Sequence, residues 1–164
     1  MIDSQIVILL QSQIAAEFSA ANFYFNLSSV CNSLNFKGFS HYFLQAGCEE
    51  QAHAKKIIEY LFLNEQPVDI RDIQTKEIAM PISIPDVFNS ALEAEIEITE
   101  RINTIMLAAV NLTDFATQNF LMWFIDEQKK AVAEAKFLAR RVLDLSDNFA
   151  ALCDLDHEVG EDEI

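Results

Sequence analysis

Punctuation is scarce in this chain, with three glycines and three prolines in 164 residues. Long stretches carry the helical period, and neither strand alternation nor a low-complexity tract interrupts them, so the expectation is an all-α protein. Cysteine is equally sparse. Cys31, Cys48 and Cys153 are odd in number, widely spaced and without a CxxC pair. That pattern excludes a disulfide framework and a rubredoxin-like cluster, and it suits a reducing cytoplasm. Positive charge is in deficit: 11 Lys and Arg stand against 26 Asp and Glu, a formal net charge of −15. Such a surface repels phosphate backbones and anionic lipid and attracts cations, so no nucleic-acid partner is expected. The 13 phenylalanines show no pairing with basic residues that would suggest base stacking. The apolar run Ile6 to Leu10 is short and follows Asp3 rather than a basic region, so neither a signal peptide nor a membrane span is expected.

The apolar content is 51%, enough to bury a full core in a chain of ordinary single-domain size. A first helix is expected from the N-cap Asp3 to Cys31, with the inward series Ile6, Leu9, Gln13, Glu17, Ala20, Tyr24 and Leu27. A second runs from about Phe36 to Leu63 on Phe39, Phe43, Ala46, Glu50, His53, Ile57 and Tyr60. The stretch 64–84 contains Pro67 and Pro81, lacks a sustained period and reads as a crossover. Pro85 fits the first turn of a third helix on Phe88, Ala91, Glu95, Ile98, Ile102, Ile105 and Ala109. The fourth starts near Thr113 and follows Leu121, Phe124, Gln128, Ala131, Ala135, Leu138 and Val142. Short links make antiparallel hairpins of the first and second pairs, and the crossover is long enough to span the ~40 Å of such a helix. The result is a four-helix bundle over residues 1–145.

Three carboxylates lie on stripes that ought to be buried: Glu17, Glu50 and Glu95, with His53 one turn beyond Glu50 and Gln128 on the fourth helix. Ionised side chains in a core cost several kcal/mol unless something compensates them. Counted along their helices, all four levels fall roughly 15 to 21 Å from a bundle end, so they can meet at mid-height. Three carboxylates, one imidazole and one amide could hold two metals, with Glu50 placed to bridge; hard oxygen ligands with a single imidazole suggest iron or manganese. Any one of these residues alone is more often a glutamate snorkelling to water, and it is their shared depth and phase that argues for a cation. Tyr24, in phase with Glu17, is an inward aromatic needing a hydrogen-bond partner. Trp123 reads as packing, and His41 as a surface histidine.

Glu17-Phe18 through Tyr24, Gly38-Phe39-Ser40-His41-Tyr42-Phe43, Glu49-Glu50-Gln51-Ala52-His53, Ala91-Leu92-Glu93-Ala94-Glu95, and Trp123 with Asp126-Glu127-Gln128 occur in this order. In that combination the chain resembles the non-haem ferritins of bacterial type, from about residue 3 to 143. The resemblance implies a ferritin-like bundle with a long crossover after the second helix and a short fifth C-terminal helix. It also implies a ferroxidase that oxidises Fe(II) with O₂ or H₂O₂ at a di-iron centre. The Fe(III) mineral would be stored inside a homo-oligomeric cage of roughly 24 subunits. By the family pattern Glu17, Glu50 and His53 ligate the first iron, Glu50 and Glu95 hold the second with Gln128 close by, and Tyr24 stands behind them.

Departures from that pattern narrow it. The second E-x-x-H of bacterioferritins and oxygenase-like relatives is broken, because Gln128 and Ala131 occupy its positions. Gln51 stands where a haem-ligating methionine would, so no haem is expected. Glu49 and Glu127 survive from an outer, third iron position, but Lys130 and Ala131 replace carboxylates there, which implies weak transit rather than tight binding. Ala52 and Lys55 replace mineral-nucleating acids of animal chains, and Gln118 and Leu121 replace acids of the animal threefold channel. Residues 146–164 offer Ser146 as a cap, an apolar series Phe149, Leu152, Leu155 and Val159, then Gly160 and an acidic end, Glu161-Asp162-Glu163. With the bundle stripes already filled, that series is expected to be buried against symmetry copies, and Asp154, Asp156 and Glu158 to face water or cations. Two other readings stand beside iron storage: a ferritin-like di-metal redox enzyme of another kind, and a non-catalytic helical bundle.

Overall fold

A computed structural model describes residues 2–70, 72–80 and 82–161; Pro81 of the crossover and the tail acids Asp162 and Glu163 lie outside them. Five helices follow one another: α1 (Ser4–Ser33), α2 (Lys37–Leu63), α3 (Ile84–Asn111), α4 (Phe115–Leu145) and α5 (Phe149–Glu161). No strand occurs among the described residues. The chain is an all-α four-helix bundle with a long crossover and a short C-terminal helix. Each start has a local cause. Asp3 accepts from the Gln5 amide at 2.8 Å. Ser83 and Asp86 form a capping box with Pro85 in the first turn. Asp114, rather than Thr113, caps α4 by accepting from the Thr117 amide at 3.0 Å.

Three of the ends are made without glycine. Asn35, Glu65 and Thr113 adopt positive φ, and the next residue's N–H returns to the last turn: Phe36 to Cys31 O, Gln66 to Leu61 O and Asp114 to Ala109 O, each at 2.9 Å. These are Schellman terminations, in which ordinary side chains occupy the left-handed position that glycine usually takes.

Two apolar clusters fill the bundle. One gathers Phe23, Leu27, Phe39, Phe43, Phe88 and Val142; the other gathers Ile6, Leu10, Ile57, Ile102, Leu121 and Phe124. On α2, α3 and α4 the polar positions 50, 95 and 128 fall between the stretches that build these clusters. α1 is long and apolar enough, by length and composition, to cross a membrane. Here its buried side carries Gln13 and Glu17 and packs within the core, as a bundle helix does.

Leu121 is completely buried in the second cluster, as its place in the inward series of the fourth helix predicts. One expectation needs correction: the fifth helix finds its partner at home, with Leu152, Leu155 and Val159 buried in the cluster that holds Phe36, Phe39 and Phe88. The stripes of α1–α4 leave the end of the bundle around the start of α2 uncovered, and α5 closes it. Contact is close because glycines meet there. A Cβ on Gly38 would lie 1.7 Å from the Asp156 carbonyl oxygen, and one on Gly160 would lie 2.7 Å from Gly38 Cα. Phe36 supplies no side-chain cap to α2; instead Asp156 accepts from the Phe39 amide at 2.7 Å across the crossing. Glu158 accepts two hydrogen bonds from Arg141 of α4, at 2.6 and 3.0 Å. Asp156 and Glu158 thus have partners in their own chain. Ser146 turns back to the Leu143 carbonyl, and it is Asn148 that accepts from the Ala151 amide at 3.1 Å. Phe149 alone of the tail series stays exposed, edge-on to Phe36.

Candidate metal centre

At mid-bundle α1 contributes Glu17, α2 Glu50 and His53, α3 Glu95 and α4 Gln128. All but His53 are buried, and His53 is nearly so. Glu17, Glu50 and His53 each offer a ligand atom, and these atoms lie within 4.8 Å of one another. His53 Nδ1 is 3.3 Å from Glu50 Oε2, and its ring stands edge-on to Trp123 and Phe124, which limits its rotation. Glu95 is held from two sides. Tyr24 donates its hydroxyl to Oε1, and Gln128 Nε2 donates to Oε2 at 3.1 Å. Gln128 Nε2 is also 3.3 Å from Thr99 Oγ1 on α3.

Glu17 is bound at one oxygen and abandoned at the other. Oε1 accepts from Gln13 Nε2 at 2.9 Å, whereas Oε2 is buried with no hydrogen-bond partner. As two ionised carboxylates, Glu17 and Glu50 can only repel. Burial first and the Glu50 charge second push Glu17 well above the ordinary carboxylate range. Burial pushes Glu50 up as well, to about 8, with the hydrogen bond from Glu17 working against it and the Glu95 charge adding to it. A proton shared between them is how the metal-free chain tolerates the pair. The Tyr24 phenol is likewise driven up, by burial and then by Glu95 and Glu50, so it stays a donor. A divalent cation at Glu17 Oε2 would supply the missing partner and displace that proton. Hard oxygens with one imidazole fit Fe(II) or Mn(II).

An acidic cavity opens onto this level. Its volume is about 550 Å³, and it is lined by Tyr24, Glu50, His53 and Glu95 at its inner end and by Glu49, Glu127 and Glu134 of α2 and α4. Lys130, on the same wall, pairs with Glu127 at 2.8 Å. Sequence reasoning missed Glu134, which sits one helical turn beyond the emptied positions 130 and 131, and gave Gln13 no role beyond its place in the stripe. Only the one-turn spacing of Gln13 before Glu17 signalled it.

A pH dependence follows from the carboxylate pair. Below pH 4.5 folded and unfolded chains both hold the protons, and the pair contributes no difference. Above it the unfolded chain ionises while the folded one resists, so stability falls as pH rises from about 4.5 toward 8. The loss is on the order of a few kcal/mol. Glu17→Gln should remove most of it, because an amide can donate to Glu50. The check is the urea midpoint of chelator-treated protein at pH 5.5 and 8.5: the wild-type drop should exceed that of the variant, and equal drops would show that the pair does not share a proton.

The ferritin-like domain family matches residues 8–142. A bacterial non-heme ferritin of Campylobacter jejuni is 34% identical over 133 residues, which are 81% of this chain and 79% of that one. A humanized archaeal ferritin superposes with a TM-score of 0.95 at 29% identity, over the full length of both chains. An open-pore ferritin from Archaeoglobus fulgidus gives 0.94 at 28% identity, covering 98% of this chain and 99% of that one. Five helices with a buried carboxylate level between two apolar clusters, matched along their length by these relatives, leave one assignment: the chain belongs to the ferritin family, with the bacterial non-haem ferritins among its relatives.

Proposed function

We propose that this protein is an iron-storage ferritin that oxidises Fe(II) at a dinuclear ferroxidase centre and keeps the Fe(III) mineral inside a homo-oligomeric cage of roughly 24 subunits. Glu17 Oε2 carries the reading, because a buried carboxylate oxygen that no protein donor reaches, on a residue grouped with Glu50 and His53, is satisfied by a cation that displaces the shared proton. In this reading Glu17, Glu50 and His53 bind the first Fe(II), and Glu50 with Glu95 binds the second. Tyr24 and Gln128 keep Glu95 aimed at it. Two Fe(II) each lose one electron to O₂, which takes up two protons and leaves as H₂O₂; H₂O₂ as oxidant would take two electrons and two protons to give two waters. Placing two metal ions side by side allows this two-electron step without a free radical.

Glu49 and Glu127 then pass the oxidised iron outward along the cavity wall, weakly, since Lys130 already pairs with Glu127. No haem takes part, in line with Gln51. Residues 1–145 carry the centre and 146–164 the fifth helix and acidic end, in a cytoplasmic protein. Leu63, Phe115 and Phe149 are each more than two-thirds exposed, and contacts between subunits would cover them. A di-metal redox enzyme of another kind would want the missing second E-x-x-H, and a non-catalytic bundle would leave the inward carboxylates without a reason. The test is aerobic addition of Fe(II) to purified apoprotein, followed by absorbance, native mass and electron microscopy. Rapid oxidation with electron-dense cores in a hollow particle of several hundred kilodaltons is expected; slow oxidation by a small oligomer without cores would overturn the proposal.

A further inference from the structure

Gln13 is fully buried on α1, one turn before Glu17, and its amide has a single workable orientation. Its Oε1 accepts from Arg101 Nε of α3 at 3.0 Å, which leaves Nε2 facing Glu17 Oε1. Turned over, the amide would set its NH₂ against the guanidinium and its oxygen against the carboxylate. Arg101 is itself anchored: Nη2 donates to the Ser12 carbonyl at 3.1 Å and to Ser12 Oγ at 2.9 Å. Neither Gln13 nor Arg101 is among the residues assigned to the metal, and neither lines the cavity that holds Glu49, Glu127 and Glu134.

We propose that Gln13 and Arg101 are positioning residues that engage Glu17 Oε1 and so present Oε2 alone to the first Fe(II). This rests on the reading of Glu17 as an iron ligand. Without the tether the carboxylate is free to rotate about its last torsion and to offer either oxygen, or both, so it must be ordered at each binding event. Partners of this kind fix the orientation of a ligand before the metal arrives, and their loss typically weakens metal binding by roughly 10- to 100-fold. Arg101 acts only through Gln13, so its effect should vanish once Gln13 is gone.

The experiment is anaerobic titration of the full-length apoprotein with Co(II), read by calorimetry and by the visible Co(II) spectrum, which reports coordination geometry independently of oxidation. Gln13→Met should weaken the first Co(II) by roughly 10- to 100-fold and change its spectrum. Arg101→Met should do less, Arg101→Lys should recover part of that, and Gln13→Met with Arg101→Met together should equal Gln13→Met alone. Wild-type affinity and spectrum in Gln13→Met, or losses that add in the double variant, would overturn the proposal. Should Gln13→Met not fold, Arg101→Met at its partly exposed position decides: unchanged affinity and spectrum there count against it. Glu17→Ala separates the two levels. If it keeps the first Co(II), the ligand assignment itself fails; if it loses that ion while Gln13→Met does not, only the positioning role fails.

Discussion

Replacing Glu50 with alanine should lower the rate of rapid Fe(II) oxidation by more than about 100-fold, because residues that merely support a ligand already cost 10- to 100-fold when lost. Glu50 is the one carboxylate that faces both Glu17 with His53 and, through its charge, Glu95. Without it neither metal position keeps its ligand count, and the two irons have no common group to hold them within reach of one oxidant molecule. Stability should move little. Metal-free Glu50 is buried beside two other carboxylates, so its removal relieves repulsion and desolvation while adding space to a cavity that is already there. Stopped-flow oxidation beside a urea titration separates the two effects. A wild-type oxidation rate would remove Glu50 from the centre, and a collapse in stability with the rate would assign it to the fold instead.

The four-helix plan was legible in the sequence because long stretches hold an inward series at three- and four-residue spacing and the proline-bearing stretch breaks that pattern once. The level of Glu17, Glu50, Glu95 and Gln128 was legible for the same reason: a charged residue in phase with a buried stripe has to go where the stripe goes. What stayed hidden depends on contacts with no local period. Arg101 reaches Gln13 across 88 positions of sequence, and a glutamine in a stripe looks the same whether it faces a guanidinium or water. Asn35, Glu65 and Thr113 gave little warning that they would end helices at positive φ, since the residue usually found there is glycine. Leu121, by contrast, was legible in the same way as the stripes: its own helix period places it in the core, and it is buried there.

The fifth helix gives the largest expected effect on stability, in the direction opposite to the one the sequence suggested. Truncation after Leu145 should destabilise the subunit itself, not only its assembly. Leu152, Leu155 and Val159 each contribute roughly 1.5 to 3 kcal/mol through burial, so together they account for about 5 to 9 kcal/mol. That is comparable to the whole stability of many domains, about 5 to 15 kcal/mol. The loss also uncovers Phe36 and Phe39 and takes away the Asp156 carboxylate that accepts from the Phe39 amide, so the start of α2 loses cover and cap together. Gly38→Ala tests the same contact with one methyl group. Its Cβ would run into the Asp156 backbone, which no rotamer change can relieve, so α5 must shift off α2 at a cost of about 1 to 3 kcal/mol. Denaturant unfolding, with hydrogen exchange at the Phe39 amide, reads both variants. The truncated chain should unfold at far lower denaturant, and Gly38→Ala should fall between it and the full-length protein with early exchange at Phe39. If the truncated chain kept its midpoint and lost only its native mass, α5 would owe its burial to neighbouring subunits after all.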